Sequence, residues 1–173
     1  MKPAEIKVNK KTRRSQNKLR NSFKSFKVYY VNIRGIKSKL VSINRILLDH
    51  KPQVVCITET HLEQNEKIKI EGYELYYNDN KKGKGGIIIG VREELKNITI
   101  ETEKILDKYQ TLWIKINNKK NKINIGTIYA PQESKNNLEV FKEMYNKIKD
   151  KINKIKLDNE KMLLTGNFDG KIL

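Results

Sequence analysis

Five polar side chains fall where a sheet would offer them to a ligand. Asn32 lies in Val31-Asn32-Ile33-Arg34-Gly35, Glu59 in Ile57-Thr58-Glu59-Thr60-His61-Leu62, and Tyr129 in Ile128-Tyr129-Ala130-Pro131. Asn167 and Asp169 close the stretch Leu163-Leu164-Thr165-Gly166-Asn167-Phe168-Asp169. Each sits at or just past the end of a run with strand composition. Amides, carboxylates and a phenol are hydrogen-bond donors and acceptors, the equipment for holding a polar ligand. Singly, each has an ordinary reading: a strand-end Asn forms turns, a lone Glu is a solvated charge, and Tyr129 packs in the core with its hydroxyl at the rim. In this order they form one constellation.

The elements that must position them follow from periodicity. Lys27 to Ile33 (KVYYVNI) is β-branched and aromatic, the composition of a buried strand. Over residues 38–50 the period changes, and Leu40, Ile43, Ile46 and Leu47 share a helical face that Pro52 terminates. Gln53 to Thr58 (QVVCIT) is a second strand, so strand, helix and strand form a parallel βαβ unit. Shorter strands are expected at Tyr73–Tyr77, Gly86–Val91, Ile98–Glu101, Thr111–Ile116 and Lys122–Tyr129, the last two pairing as a hairpin across Asn117–Asn121. After Pro131, Leu138, Phe141, Tyr145, Ile148, Ile152 and Ile155 recur at helical spacing as a core-facing stripe. Lys161 to Thr165 is the last strand expected, with Asn167 and Asp169 following it. Strands parallel at first and then antiparallel, mixed with two helices, predict an α/β sandwich.

Composition narrows the partners. The chain has 173 residues, the size of one domain, and a net charge of +17 at pH 7. Such a surplus favours polyanions, because each Lys or Arg that neutralises a phosphate releases a counterion. An AT-rich coding sequence, rich in Lys, Asn and Ile, produces the same surplus without selection for binding. Residues 1–27 hold ten Lys or Arg against one acid, leaving +8 for the remainder. Residues 1–26 therefore read as a basic, disordered arm and 27–173 as the folded domain. Within the arm, Lys10-Lys11-Thr12-Arg13-Arg14 fits a nuclear address or a nucleic-acid contact. No apolar stretch is long enough to span a membrane, and no apolar signal segment opens the chain. Cys56 is the sole cysteine, which excludes an internal disulfide and a cysteine-built zinc site and favours an intracellular, reducing compartment.

Asn32, then Glu59-Thr60-His61-Leu62, then Tyr129-Ala130-Pro131, then Gly166-x-Phe168-x after an apolar strand resembles the endonuclease/exonuclease/phosphatase superfamily. The wording is most similar to the apurinic-type endonuclease domain of non-LTR retrotransposons. Ile70-Glu71-Gly72-Tyr73 with Asn78-Asp79, and Lys84-Gly85-Gly86-Ile87-Ile88-Ile89, resemble two further segments of that subgroup. The resemblance covers about residues 27–170. It implies a four-layer α/β sandwich, two packed mixed sheets flanked by helices. It implies phosphodiester hydrolysis with Mg²⁺ (or Mn²⁺) and nucleic acid, DNA in particular, as partner. By position, Glu59 is the metal ligand, a hard carboxylate oxygen suited to Mg²⁺. Asn32 helps to hold the metal site and the phosphate, Arg34 is a substrate contact beside it, and Tyr129 hydrogen-bonds a phosphate oxygen. Asn167 and Asp169 stand where the family has Gly-Asp-x-Asn, whose Asp activates water and whose Asn positions the phosphate.

Two departures bear on activity. The acid and the amide are exchanged in Gly166-Asn167-Phe168-Asp169, and Asn167 cannot accept a proton from water. The family pattern also continues beyond the position of Leu173 with further strands and a Ser-Asp-His motif, so the resemblance implies a domain lacking its C-terminal strands. His50, at a helix end, and His61, beside Glu59, do not replace that His by position. The expectation is a mobile-element DNA endonuclease domain whose activity in this chain is in question. The alternative is a catalytically inactive remnant that binds nucleic acid through its basic surface.

Overall fold

The computed structural model describes residues 26–78, 85–95, 99–103, 110–118, 121–130 and 138–168. The elements are β1 (Val28–Asn32), α1 (Leu40–His50), β2 (Val54–Thr58), β3 (Tyr73–Asn78), β4 (Ile87–Arg92), β5 (Thr99–Glu103), β6 (Gln110–Asn118), β7 (Asn121–Ala130), α2 (Leu138–Leu157) and β8 (Lys161–Phe168). They form two four-stranded sheets, ordered β1-β2-β4-β3 and β5-β6-β7-β8. Both are mixed: β1 runs parallel to β2 and β7 parallel to β8, while the remaining pairs are antiparallel.

Side-chain alternation decides what each face meets. Val54 and Cys56 of β2 and Ile87, Ile89 and Val91 of β4 point inward, against Leu112, Ile114 and Ile116 of β6 and Ile125 of β7. Phe26, Val28, Tyr30, Tyr76 and Tyr129 border this inter-sheet core. The opposite face of the first sheet buries Val55, Ile57 and Ile88 under Ile43 and Leu47 of α1. The opposite face of the second buries Ile128, Ala130 and Leu164 against Met144, Ile148 and Ile152 of α2. Helix, sheet, sheet, helix is the four-layer sandwich that the sequence led us to expect. Strands β2 and most of β4 are buried on both faces, hence their unbroken apolar wording.

Most elements fall where periodicity put them, with three differences besides a tighter hairpin, in which strand runs on to Asn118 and resumes at Asn121 within the expected Asn117–Asn121 turn. The stripe of α2 is turned slightly: Tyr145 is 53% exposed and Met144 is buried in its place. Met144, Ile148, Ile152 and Ile155 keep the three- and four-residue spacing, so the core contact uses a neighbouring phase of the same helix. Strand β8 continues through Phe168, so Asn167 lies inside the strand rather than after it. Position 166 allows this because the strand backbone passes close to β7: a side chain there would come within 2.2 Å of the Ile128 carbonyl oxygen. Thirdly, α1 is preceded by a 3-10 turn, Lys37–Lys39. The helix stops where Lys51 turns left-handed (φ 46°) and its N–H caps the Leu47 carbonyl, one residue ahead of Pro52.

Far from the constellation, Glu160 fastens the end of α2 to the second sheet. Its side chain is 5% exposed and meets Lys115 at 2.9 Å and Lys122 at 3.3 Å. It also accepts a hydrogen bond from Asn124 at 2.8 Å. Burial opposes its charge, but the hydrogen bonds from Asn124, Lys115 and Lys122 and the charge of Lys115 prevail, holding the carboxyl down at about 2. A carboxyl held below its ordinary value stabilises the fold above the unfolded-state pKa and loses that contribution as pH falls through the folded-state value. Glu160→Gln should therefore lower the urea unfolding free energy at pH 7 by about 2 kcal/mol. The gap between the two proteins should narrow from near pH 4.5 and close at about pH 2.

Candidate functional site

Asn32 is the last residue of β1, and Glu59 is the first residue after β2. The parallel register sets Asn32 beside Thr58, one residue short of Glu59. The Asn32 amide nitrogen donates to Glu59 Oε1 at 2.6 Å. That bond fixes which way the amide faces, and Asn32 Oδ1 is left buried with no partner among the described residues. Glu59 is 15% exposed, and its second oxygen lies 3.9 Å from His61 Nε2. A shielded carboxylate beside an unsatisfied amide oxygen is unfavourable alone and suits a cation.

The backbone around this pair is unusual. Arg34, Glu59 and His61 all have left-handed conformations, with φ of 47°, 55° and 54°. Such residues cost on the order of 1 kcal/mol each and persist only where surroundings over-determine them. Here the surroundings are three loops. Pairing of β1 with β2 continues past the strand ends: Ile33 N–H donates to Thr58 O (3.0 Å), Gly35 N–H to Glu59 O (2.8 Å) and Ile36 N–H to Thr60 O (3.0 Å). His61 N–H then donates to Gly85 O at 2.8 Å. Gly86 N–H donates to Gln110 Oε1 at 2.7 Å, joining this loop of the first sheet to the start of β6 in the second. Asn78 adds a second tie, its amide donating to Thr111 O at 2.7 Å.

Beneath the pair, the hydroxyls of Tyr30 and Thr58 lie 3.2 Å apart. Deeper in, the hydroxyls of Thr127 and Thr165 meet at 3.1 Å across β7 and β8. Burial pushes the Cys56 thiol up, against the opposing hydrogen bonds of these two threonines. A buried, protonated thiol is a small core residue, not a nucleophile.

Tyr129 and Asn167 are register partners on the parallel strands β7 and β8. Tyr129 borders the inter-sheet core, as does Tyr30 two residues before Asn32. The constellation is thus observed as two pairs at strand ends, Asn32 with Glu59 and Tyr129 with Asn167. Arg34 is exposed on the loop after β1. Asp169 lies outside the described residues, and among those described no group of three or more His, Cys, Asp or Glu could hold a metal ion. His50 ends α1, away from Glu59 in the fold, whereas His61 borders it. Sequence reasoning missed Thr60, fully buried in the loop it shapes, and Gln110. Thr60 stood inside a noticed motif; Gln110, at the head of a strand, carried no local signal.

A mixed α/β sandwich with a polar constellation at its strand ends defines the class of protein. The model of the endonuclease/exonuclease/phosphatase family matches residues 30–168, and the chain belongs to that family. No curated protein sequence matches it. Among solved structures, the 3′ phosphatase NExo from Neisseria, bound to product DNA hairpin, superposes with TM-score 0.63 and 16% identity over 84% of this chain and 58% of that one. The endonuclease domain of TRAS1, a telomere-specific non-LTR retrotransposon, gives TM-score 0.62 and 11% identity over 85% and 60%. Truncated TDP2 from Caenorhabditis elegans gives TM-score 0.62 and 15% identity over 84% and 63%. At these identities the likeness is one of fold, and the chain spans about three fifths of each structure. No helix among the described residues is long and apolar enough to cross a membrane.

Gly86 tests the loop junction. It has φ of 89°, and a Cβ there would lie 2.3 Å from Thr60 Oγ1. Gly86→Ala should destabilise the chain by about 1–3 kcal/mol in urea unfolding. It should also accelerate exchange of the His61 amide, whose acceptor is Gly85 O.

Proposed function

We propose that this chain carries the metal- and phosphate-binding groups of a phosphodiester-hydrolysing site acting on nucleic acid, with DNA as the preferred class, of the mobile-element endonuclease kind. The observation behind the reading is the Asn32–Glu59 pair, with its buried, unpartnered Oδ1 on the ends of two parallel strands. Family membership and the folds of the DNA-handling neighbours support it.

Asn32 Oδ1 and the Glu59 carboxylate fit Mg²⁺ or Mn²⁺. Mg²⁺ is usually held by one or two carboxylates with several waters, and one shielded carboxylate plus one amide oxygen meets that description. Glu59 and Asn32 are the residues to hold it, and the ion would supply charge neutralisation at a phosphoryl oxygen. The chain's own groups do the rest. Glu59 Oε1 orients the Asn32 amide. The Tyr129 phenol donates a hydrogen bond to a phosphate oxygen, and the Asn167 amide beside it donates another. Arg34, exposed after β1, neutralises a neighbouring phosphate. The proton of the attacking water needs an acceptor, and an amide at 167 is not one. Asp169 is the acid available for that role in the sequence. The basic segment with Lys10-Lys11-Thr12-Arg13-Arg14 supports a nucleic-acid arm or a nuclear address.

One observation favours a second reading, that of an inactive domain which binds nucleic acid through basic surface alone. Asn167 pairs with Tyr129 inside β8, at the place where the family pattern has its acid.

Supercoiled-plasmid nicking separates the two readings. The unaltered chain should nick in Mg²⁺, stop with excess chelator, and run roughly a hundredfold slower than a protein carrying Asn167→Asp and Asp169→Asn. Glu59→Gln should abolish nicking in both backgrounds. Silence from both folded proteins, with DNA still retarded at low salt, would decide for the binding reading. On either reading, log Kd should rise linearly with log salt, and a slope near zero would remove nucleic acid as the partner.

A further inference from the structure

We infer that Lys39, a residue outside the constellation, is a positioning residue for the Asn32–Glu59 site; the inference rests on the reading of that pair as a metal site. Lys39 closes the 3-10 turn before α1. Its ammonium reaches back along the chain and donates to the carbonyl oxygens of both Ile33 and Arg34, the latter at 3.0 Å. These are the two residues that directly follow Asn32. Their loop holds Arg34 and Gly35 in succession at φ of 47° and 91°.

The division of labour within this loop points to the role. Its amide groups face the second loop, Ile33, Gly35 and Ile36 donating to Thr58, Glu59 and Thr60. Its carbonyl groups at Ile33 and Arg34 have left the strand ladder, and the Lys39 ammonium gathers both. A flexible lysine side chain loses about 2 kcal/mol of rotamer entropy when fixed. Lys39 is exposed as a residue, yet its ammonium is committed to two backbone carbonyls. It holds a two-residue left-handed turn, Arg34–Gly35, whose Gly35 amide donates to the Glu59 carbonyl. Glu59 in turn accepts from Asn32. The ammonium therefore acts on the metal-facing oxygens through two hydrogen-bonded steps, without touching them. Groups that orient metal ligands in this way typically change affinity ten- to a hundredfold when removed.

The test uses the 173-residue chain, Mn²⁺ alone as probe, and amide exchange in the metal-free protein. Lys39→Met should weaken Mn²⁺ binding, read from the free-ion paramagnetic resonance signal, by about tenfold. Lys39→Arg, which keeps charged donors within reach of both carbonyls, should recover most of it. In metal-free protein, Lys39→Met should speed exchange of the Gly35 and Ile36 amides at least about tenfold while the amides of α1 and β2 stay protected. Uniform loss of protection would mark a general folding defect and overturn the positioning role. Unchanged Gly35 exchange would overturn it too, whatever the metal does. Faster Gly35 exchange in a chain that binds no Mn²⁺ at all would leave Lys39 a structural clamp and defeat the metal reading beneath it.

Discussion

The parallel pairing of β1 with β2 is the constraint from which the site follows. Parallel strands send their carboxyl ends the same way, so Asn32 and Glu59, distant in sequence, arrive side by side. Parallel pairing also requires a crossover, which α1 supplies by burying Ile43 and Leu47 on Val55 and Ile57. Were the register to slip by one residue, Asn32 would turn from the inter-sheet side to the helix side. The buried alternation of Tyr30, Cys56 and Thr58 inward against Val31, Val55 and Ile57 outward forbids that slip. Core packing and site geometry are thus one constraint, set by the same side chains.

The second sheet repeats the device. Strands β7 and β8 are parallel, joined through α2, and finish with Tyr129 and Asn167 in register. The two parallel pairs face one another across the inter-sheet core, with Cys56, Thr127 and Thr165 meeting between them. Each sheet contributes one pair of polar side chains, and Gln110 and Asn78 tie the sheets together. Such a site depends on sheet-to-sheet distance as much as on any residue in it. A small change in packing near Cys56 would therefore reach both pairs at once.

The framework was legible in the sequence because period and composition change at every boundary. The run QVVCIT reads as a strand, and Leu40, Ile43, Ile46 and Leu47 as one face of a helix, of which Ile43 and Leu47 are the buried residues. The order of polar residues was legible too, since strand ends can be read once strands are. Three things were not. The phase of α2 shifted from Tyr145 to Met144 because both fit a three-to-four spacing and only the shape of the sheet chooses between them. The left-handed turns at Arg34, Glu59 and His61 had little residue signal, because of the three types only His is enriched in that conformation. Tertiary hydrogen bonds imposed it. Gln110 and Lys39 owe their importance to backbone atoms of other segments, and a sequence does not announce which carbonyl a lysine will find.

Asn167 bears on more than proton transfer. On our reading of the strand ends as a phosphate site, an amide there in place of an acid removes one negative charge from the place where a polyanion would approach. Two like charges about 4 Å apart repel by roughly 1 kcal/mol in water and several-fold more in a partly shielded site. The amide also brings a donor that a carboxylate lacks. Hydrolysis loses its nearest proton acceptor, whereas ground-state binding loses a repulsion and gains a hydrogen bond. The same residue therefore moves binding and turnover in opposite directions. On that reading, a net charge of +17 and an amide at 167 act in the same direction, toward holding a polyanion rather than cutting it.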